Sequence, residues 1–172
     1  MAASVSAIYN LLLRVDETLG LAEVHAPDPT LTHEMSSSDV TLNGVIDADT
    51  SLAVTKVFSG VVTVAGGVTT LDLTSLTGPE GTIDFTGLKP QLVLIAAHFV
   101  NVGPIAIKTK DQATGYNLFG TDNTGSEEYS LLVGQSALFR LNDKGEDVDS
   151  THKDITFTGE NSNVARIIMV AG

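Results

Sequence analysis

The segment spanning residues 61–73, Val-Val-Thr-Val-Ala, then Gly-Gly, then Val-Thr-Thr-Leu-Asp-Leu, constrains the fold of this chain more than any other. Adjacent glycines accept the positive φ angles of a type I′ turn, and the residues on either side alternate with the period of pleated strands. Read as a hairpin, the segment sets Ala65 opposite Val68, Val64 opposite Thr69 and Val62 opposite Leu71. Val62, Val64, Leu71 and Leu73 then share a core face, while Thr63, Thr70 and Asp72 face water. The rest of the chain is made of similar material. Its 20 threonines and 18 valines exceed a fifth of the 172 residues, and their restricted χ1 suits strands.

Further strands are expected at residues 41–46, 52–58, 82–86, 91–100, 105–108, 127–133, 136–141, 154–158 and 164–170, which with the hairpin makes roughly ten or eleven. That number in one domain predicts an all-β fold, a single antiparallel β-sandwich or jelly roll in which two sheets cover each other's apolar faces. The run Leu92-Val93-Leu94-Ile95-Ala96-Ala97 reads as a central strand, and the charged 127–133 segment as one nearer an edge. Near the N-terminus, Ile8, Leu11, Leu12, Val15 and Leu19 repeat at helical spacing, whereas Val5, Ala7, Tyr9, Leu11, Leu13 and Val15 alternate. A strand is the favoured reading. Residues 26–39 are polar, contain Pro27 and Pro29, and show no strand pattern, so they are expected to form an extended arm held by a partner, with a long surface loop, the commoner outcome for such a stretch, as the alternative. The expected layout is an N-terminal strand and extended arm over 1–39 and the sandwich domain over 40–172.

At this length one hydrophobic core suffices without disulfides or structural metal. The chain has no cysteine, which removes thiolate zinc sites and cysteine nucleophiles, and no tryptophan. A net charge of −12 repels phosphate backbones, so nucleic acid is not an expected partner. No apolar run approaches the ~18 to 20 residues that span a bilayer, and no secretory signal pattern or glycosylation sequon is present, so synthesis in a cytoplasm and no membrane partner are expected.

Reactive chemistry is equally sparse. His25 and His33 stand eight apart beside Glu34, too far apart for the usual zinc pair. His98 falls in an apolar strand, as a hydrogen-bonded core or interface histidine does, and His152 stands alone. The acidic run at 143–149 offers oxygen ligands of the kind calcium takes, but its glycine is misplaced and its terminal glutamate missing, so a solvated turn is expected. The 122–128 loop reads as a turn entering a strand. Gly78-Pro79-Glu80-Gly81 is a turn without the lysine of a phosphate loop, and no nucleophile elbow, zinc-protease helix or dinucleotide fingerprint occurs. The reading is therefore of a protein with no catalytic residue, no cofactor-binding residue, no metal site and no cofactor.

Four phrases carry a resemblance: Thr55-Lys56-Val57-Phe58-Ser59; residues 70–78, Thr-Leu-Asp-Leu-Thr-Ser-Leu-Thr-Gly; residues 83–89, Ile-Asp-Phe-Thr-Gly-Leu-Lys; and residues 115–120, Gly-Tyr-Asn-Leu-Phe-Gly. With the apolar strand that closes the chain at 164–172, they resemble small all-β virion structural proteins of tailed phages, of the head decoration or cement type. The resemblance covers roughly residues 52–172 and is one of style, without an invariant chemical motif. It implies a non-enzymatic protein on the capsid surface of a virion that stabilises the assembled shell, with the major capsid protein as partner, and a homo-oligomer, most often a trimer. A tail or fibre-base component is the alternative within virions. A carbohydrate-binding β-sandwich, needing an exposed aromatic platform, and a cupin-like metalloenzyme, needing several inward His, are alternatives outside them.

Overall fold

The computed structural model describes residues 6–10, 13–18, 30–35, 43–47, 54–78, 81–109, 113–118, 127–141 and 146–172, with backbone pairing alone for those before 54. Fourteen strands and no helix occur among the described residues. The first four form two nested antiparallel pairs. Strand β1 (Ser6–Asn10) pairs with β4 (Asn43–Asp47), and β2 (Leu13–Thr18) pairs with β3 (Thr30–Met35). Strand thus prevails over helix at residues 6–10 and 13–18. The stretch 26–39, expected to be an arm without strands, contains β3, because Thr-Leu-Thr-His-Glu-Met finds register partners in β2 that its own sequence does not announce.

The remaining strands are β5 (Lys56–Thr63), β6 (Val68–Asp72), β7 (Leu76–Gly78), β8 (Gly81–Ile83), β9 (Pro90–Ala97), β10 (Ile105–Thr109), β11 (Glu127–Leu131), β12 (Ser136–Arg140), β13 (Asp154–Gly159) and β14 (Val164–Ala171). Eight of them make two antiparallel sheets, ordered β5-β14-β9-β12 and β6-β13-β10-β11, while β7 and β8 pair with each other. Each strand of one sheet is joined to its counterpart at the same place in the other, β5 to β6, β14 to β13, β9 to β10 and β12 to β11. This is jelly-roll order. All four of these sheet-crossing turns lie at one end of the sandwich, and the longer connections lie at the other.

That topology corrects the expected hairpin. The turn exists, with Gly66 at φ 62° and Gly67 at φ 89°, but β5 pairs with β14 and β6 with β13, so Val62 does not oppose Leu71 across a ladder. The two strands separate into different sheets directly after the turn. Thr69 assists, its hydroxyl donating to the Thr63 carbonyl at 2.9 Å while accepting the Ala65 N–H at 3.0 Å. The inward set survives the changed pairing: Val62, Val64 and Leu73 are buried and Leu71 packs on the core, because alternation fixes which side chains point inward whichever strand lies alongside. The strands expected at 52–58 and 61–65 meet in a single one, β5, whose bounds are Lys56–Thr63. Its Gly60 is no break, since the Phe58 ring lies over it at a distance that a Cβ would violate.

The core is the interface between the two sheets. Phe58, Val62, Val93, Ile95, Ala165, Ile167 and Met169 of one sheet meet Ile105, Ile107, Leu131, Ile155 and Phe157 of the other. Leu73, Leu76, Phe85, Tyr116, Leu118 and Val148 from the long connections close the far end. Strand β9 sits between β14 and β12, as its apolar density predicts, and β11 is an edge strand.

Candidate functional site: an apolar end of the sandwich

The polar groups that could do chemistry are occupied in building the end that carries the long connections. Three Asp-x-Thr turns repeat there. Asp72, Asp84 and Asp149 each accept both the N–H and the hydroxyl of the threonine two residues on, at 2.6–2.8 Å. Hydrogen bonds from Thr151 hold the Asp149 carboxyl down at about 2, and those from Thr86 lower Asp84. Partial burial alone would raise Asp72, but bonds from Lys153 and Thr74 outweigh it and leave it below the usual range. Tyr116 is buried, which pushes its phenol up, and its hydroxyl donates to the Glu146 carbonyl at 2.9 Å.

Of the histidines and acidic loops singled out in the sequence, His152 and the 143–149 run come together, and the others described do not join them. His98 lies one residue beyond β9 rather than inside a strand. Its Nδ1 accepts the Val100 N–H at 3.3 Å, and its ring stacks on Phe99 at 4.5 Å. His152 stands at the opposite end, 3.2 Å from Asp149 and 3.7 Å from Glu146. In the acidic run, Asp149 serves its turn and Asp147 lies 3.7 Å from Lys89, while 143–145 lie outside the described residues. His25, the side chain of His33 and most of the 122–128 loop also lie outside them. Among the described residues no group of three or more His, Asp or Glu is placed to hold a metal ion. A depression of about 640 Å³ on the β11–β12 edge is lined by Tyr129, Phe139, Glu128 and Arg140, with the two rings edge to face at 5.3 Å.

The end made by the four sheet-crossing turns is of another character. These turns, residues 64–67, 98–104, 132–135 and 160–163, contain one carboxylate, Glu160, one histidine, His98, and no lysine or arginine. Phe99 is 75% exposed, Val100 62% and Val102 86%, all on one turn, and Leu132 and Val133 are exposed on the turn beside it. An isolated exposed valine needs no explanation, but five large apolar side chains on adjacent turns of a −12 protein do.

The turn that displays them is rigidly held. Asn163, 1% exposed, accepts the Val102 N–H through Oδ1 at 3.1 Å and donates through Nδ2 to the carbonyls of Gly103 at 3.0 Å and Pro104 at 3.3 Å. Asn101, also buried, exchanges two bonds with the Val164 backbone, at 2.8 and 3.0 Å. The 160–163 turn is fixed in its own right to the glycine turn: Ser162 N–H donates to Val64 O and Val64 N–H to Asn163 O, both at 2.8 Å, and Gly66 N–H donates to Asn161 Oδ1 at 3.1 Å. On the other side Ala97 N–H donates to Gln135 O at 2.8 Å. Four turns are thereby joined into one scaffold.

Sequence reading missed this site because 91–100 and 127–133 read as strands that would bury Phe99, Val100, Leu132 and Val133. The available signal was Asn101 with Gly103-Pro104, a turn signature directly after Val100. Comparison of the chain with protein-family models, with curated proteins and with solved structures returns no match.

Proposed function

We propose that this chain is a non-enzymatic structural protein that docks by its apolar end onto an assembled protein surface, and that the surface is a virion shell, so that the chain acts as a head decoration or cement protein. The observation that carries docking is the rigid display of Phe99, Val100 and Val102 on a turn locked by Asn101 and Asn163. The virion assignment is supported by the resemblance of residues 52–172, and the jelly-roll order is compatible with it.

Burying an exposed Phe or Val side chain contributes roughly 1.5 to 3 kcal/mol, so three of them yield on the order of 5 to 9 kcal/mol. Association costs about 4 to 15 kcal/mol, and a preorganised turn keeps that cost at its lower end. One apolar end is therefore a weak binder. A homo-oligomer that presents several such ends to a lattice of repeated pockets supplies the remainder through multivalency, and binding that favours assembled over free subunits stabilises the shell. A lone carboxylate without cations at this end gives no attraction to anionic lipid, which favours a protein surface.

The test uses particles bearing the full chain and the double variant Phe99→Ser/Val102→Ser. The expected result is that the variant keeps its unfolding midpoint and is released from particles at lower heat or salt than the native chain. Equal retention refutes the docking end. Flotation of the native chain, but not the variant, with phosphatidylcholine vesicles would reassign the end to membrane insertion. Labelling found on tails rather than heads would move the protein to the tail class.

A further inference from the structure

The outer faces of the two sheets differ in kind. On the β6-β13-β10-β11 sheet the outward residues are mainly polar, Asp72, Thr70, Asp154, Thr158, Lys108, Glu128 and Ser130 with the exposed Val68 and the buried Thr156 among them, and Lys108 lies 3.9 Å from Glu128. That is an ordinary solvated face. On the β5-β14-β9-β12 sheet the registers align three outward rows: Val57, Val170, Leu92, Arg140; then Ser59, Ile168, Leu94, Leu138; then Val61, Arg166, Ala96, Ser136. The twelve positions hold eight apolar residues, two arginines, two serines and no carboxylate, in a chain with 21 Asp and Glu against nine Lys and Arg; Val170 and Leu92, in the first row, are already buried within the chain, so the open part of the face is mainly the other two rows. With the whole chain in place, Val61 remains 57% exposed and Ile168 42%. A cavity of about 350 Å³ opens between them, lined also by Ser59, Leu94, Ala96 and Arg166. Among the described residues Arg166 has no carboxylate partner.

We propose that this face is occupied by a second copy of the chain, whose N-terminal strand pairs supply the carboxylates that meet Arg166 and Arg140. Charge decides between the geometries. Laying the same face against itself about a two-fold axis would place four guanidinium groups in one interface without a carboxylate to meet them, which electrostatic complementarity disfavours. A heterologous contact avoids this, and residues 1–50 are its natural source of charge: they hold eight Asp and Glu, including Asp16, Glu17, Glu34 and Asp47 in strands β2 to β4, and a single basic residue, Arg14. In the described pairing these strands bond to each other and to neither sandwich sheet. Area sets the strength. Four strands ~4.8 Å apart and about seven residues long give a face of at most roughly 19 by 23 Å in projection, part of it already covered at Leu92 and Val170. This falls below the ~800 Å² per partner of a standard interface, so association is reversible and belongs in the micromolar range.

Light scattering on the full chain between about 1 and 100 μM tests the proposal. Association to a multiple of 18.0 kDa is expected, weakened at least tenfold by Ile168→Glu and by Arg166→Glu and unchanged by Phe99→Ser. Reversal of the opposite charges, Asp16→Lys/Glu17→Lys/Glu34→Lys, is expected to weaken the native chain and to restore association to Arg166→Glu. Mass of one chain throughout the range overturns the proposal, as does undiminished association of Ile168→Glu, or a loss caused by Phe99→Ser in its place. No effect of the triple reversal removes the N-terminal strands as the counterpart. Should Ile168→Glu not fold, Ser59→Cys gives the cysteine-free chain one thiol in the same row. Its alkylation is expected to slow at least fivefold at associating concentrations, and an unchanged rate refutes the contact. Particle retention of Phe99→Ser/Val102→Ser is a separate readout, so this proposal and the docking end fail independently.

Discussion

Replacement of Asn163 by alanine removes the side chain that holds the 98–104 turn to the sandwich. Three hydrogen bonds go with it, those to the Val102 N–H and to the Gly103 and Pro104 carbonyls. A net contribution of about 0.5 to 1.5 kcal/mol each would give roughly 2 to 4 kcal/mol. The turn residues are themselves exposed, so water reaches their backbone once the amide is gone, and the lower half of that range, about 2 to 3 kcal/mol, is expected. For a domain of this size that is a midpoint lowered by roughly 4 to 12 °C. The assay is urea unfolding with the slope compared between variants, since an altered slope would signal a changed denatured state rather than lost bonds. Asn163→Asp sharpens the test. It keeps the acceptor, loses both donors and places a carboxylate at a position 1% exposed, so it should be worse than alanine at pH 7 and improve as acid neutralises it. A loss below about 0.5 kcal/mol for Asn163→Ala, or unchanged hydrogen exchange at the Val102 amide, would refute the claim that this side chain preorganises the docking turn.

Three further outcomes follow from the same coordinates. Gly67→Val should cost about 1 to 2 kcal/mol in unfolding free energy, because φ is +89° although the new Cβ would meet nothing closer than the Gly159 carbonyl at 3.9 Å. Gly60→Ala should cost about 1 to 3 kcal/mol, because its Cβ would stand 2.3 Å from the Phe58 ring, and adding Phe58→Leu should recover part of the loss in the same assay. The Asp149 carboxyl is held at about 2 by the Thr151 bonds, below its unfolded value near 3.9, so its contribution is complete above about pH 5 and disappears as pH falls toward 2. The difference in unfolding midpoint between native chain and Asp149→Ala should therefore be largest near neutrality and shrink steeply as pH falls toward 2; a difference that grows on acidification would reverse the assigned sign.

What the sequence disclosed, and what it hid, follows from the range over which each signal acts. Alternation is local, so the inward set Val62, Val64, Leu71 and Leu73 could be assigned without knowing any partner strand. Pairing is non-local. A two-residue glycine turn is compatible both with a hairpin in one sheet and with a crossing between sheets, and what separates them here is that β14 and β13, about a hundred residues later, supply better ladders for β5 and β6. The same limit hid β3, whose register with β2 exists only once the chain has returned on itself.

The candidate site was hidden for a different reason. Phe99 and Val100 continue the apolar run of β9, and Leu132 and Val133 continue that of β11, so a reading by hydropathy extends both strands and buries all four residues. In the structure the strands stop at Ala97 and Leu131, where Asn101, Asn163 and Gln135 draw the backbone into turns with bonds that a ladder would otherwise make. Apolar side chains that pattern alone assigns to the core are thereby carried past its edge and held in water by the buried amides of Asn101 and Asn163 and the exposed amide of Gln135. Exposing them is unfavourable for an isolated domain and becomes favourable when a partner covers them, so the lengths by which the expected strands overran mark the surface proposed for docking.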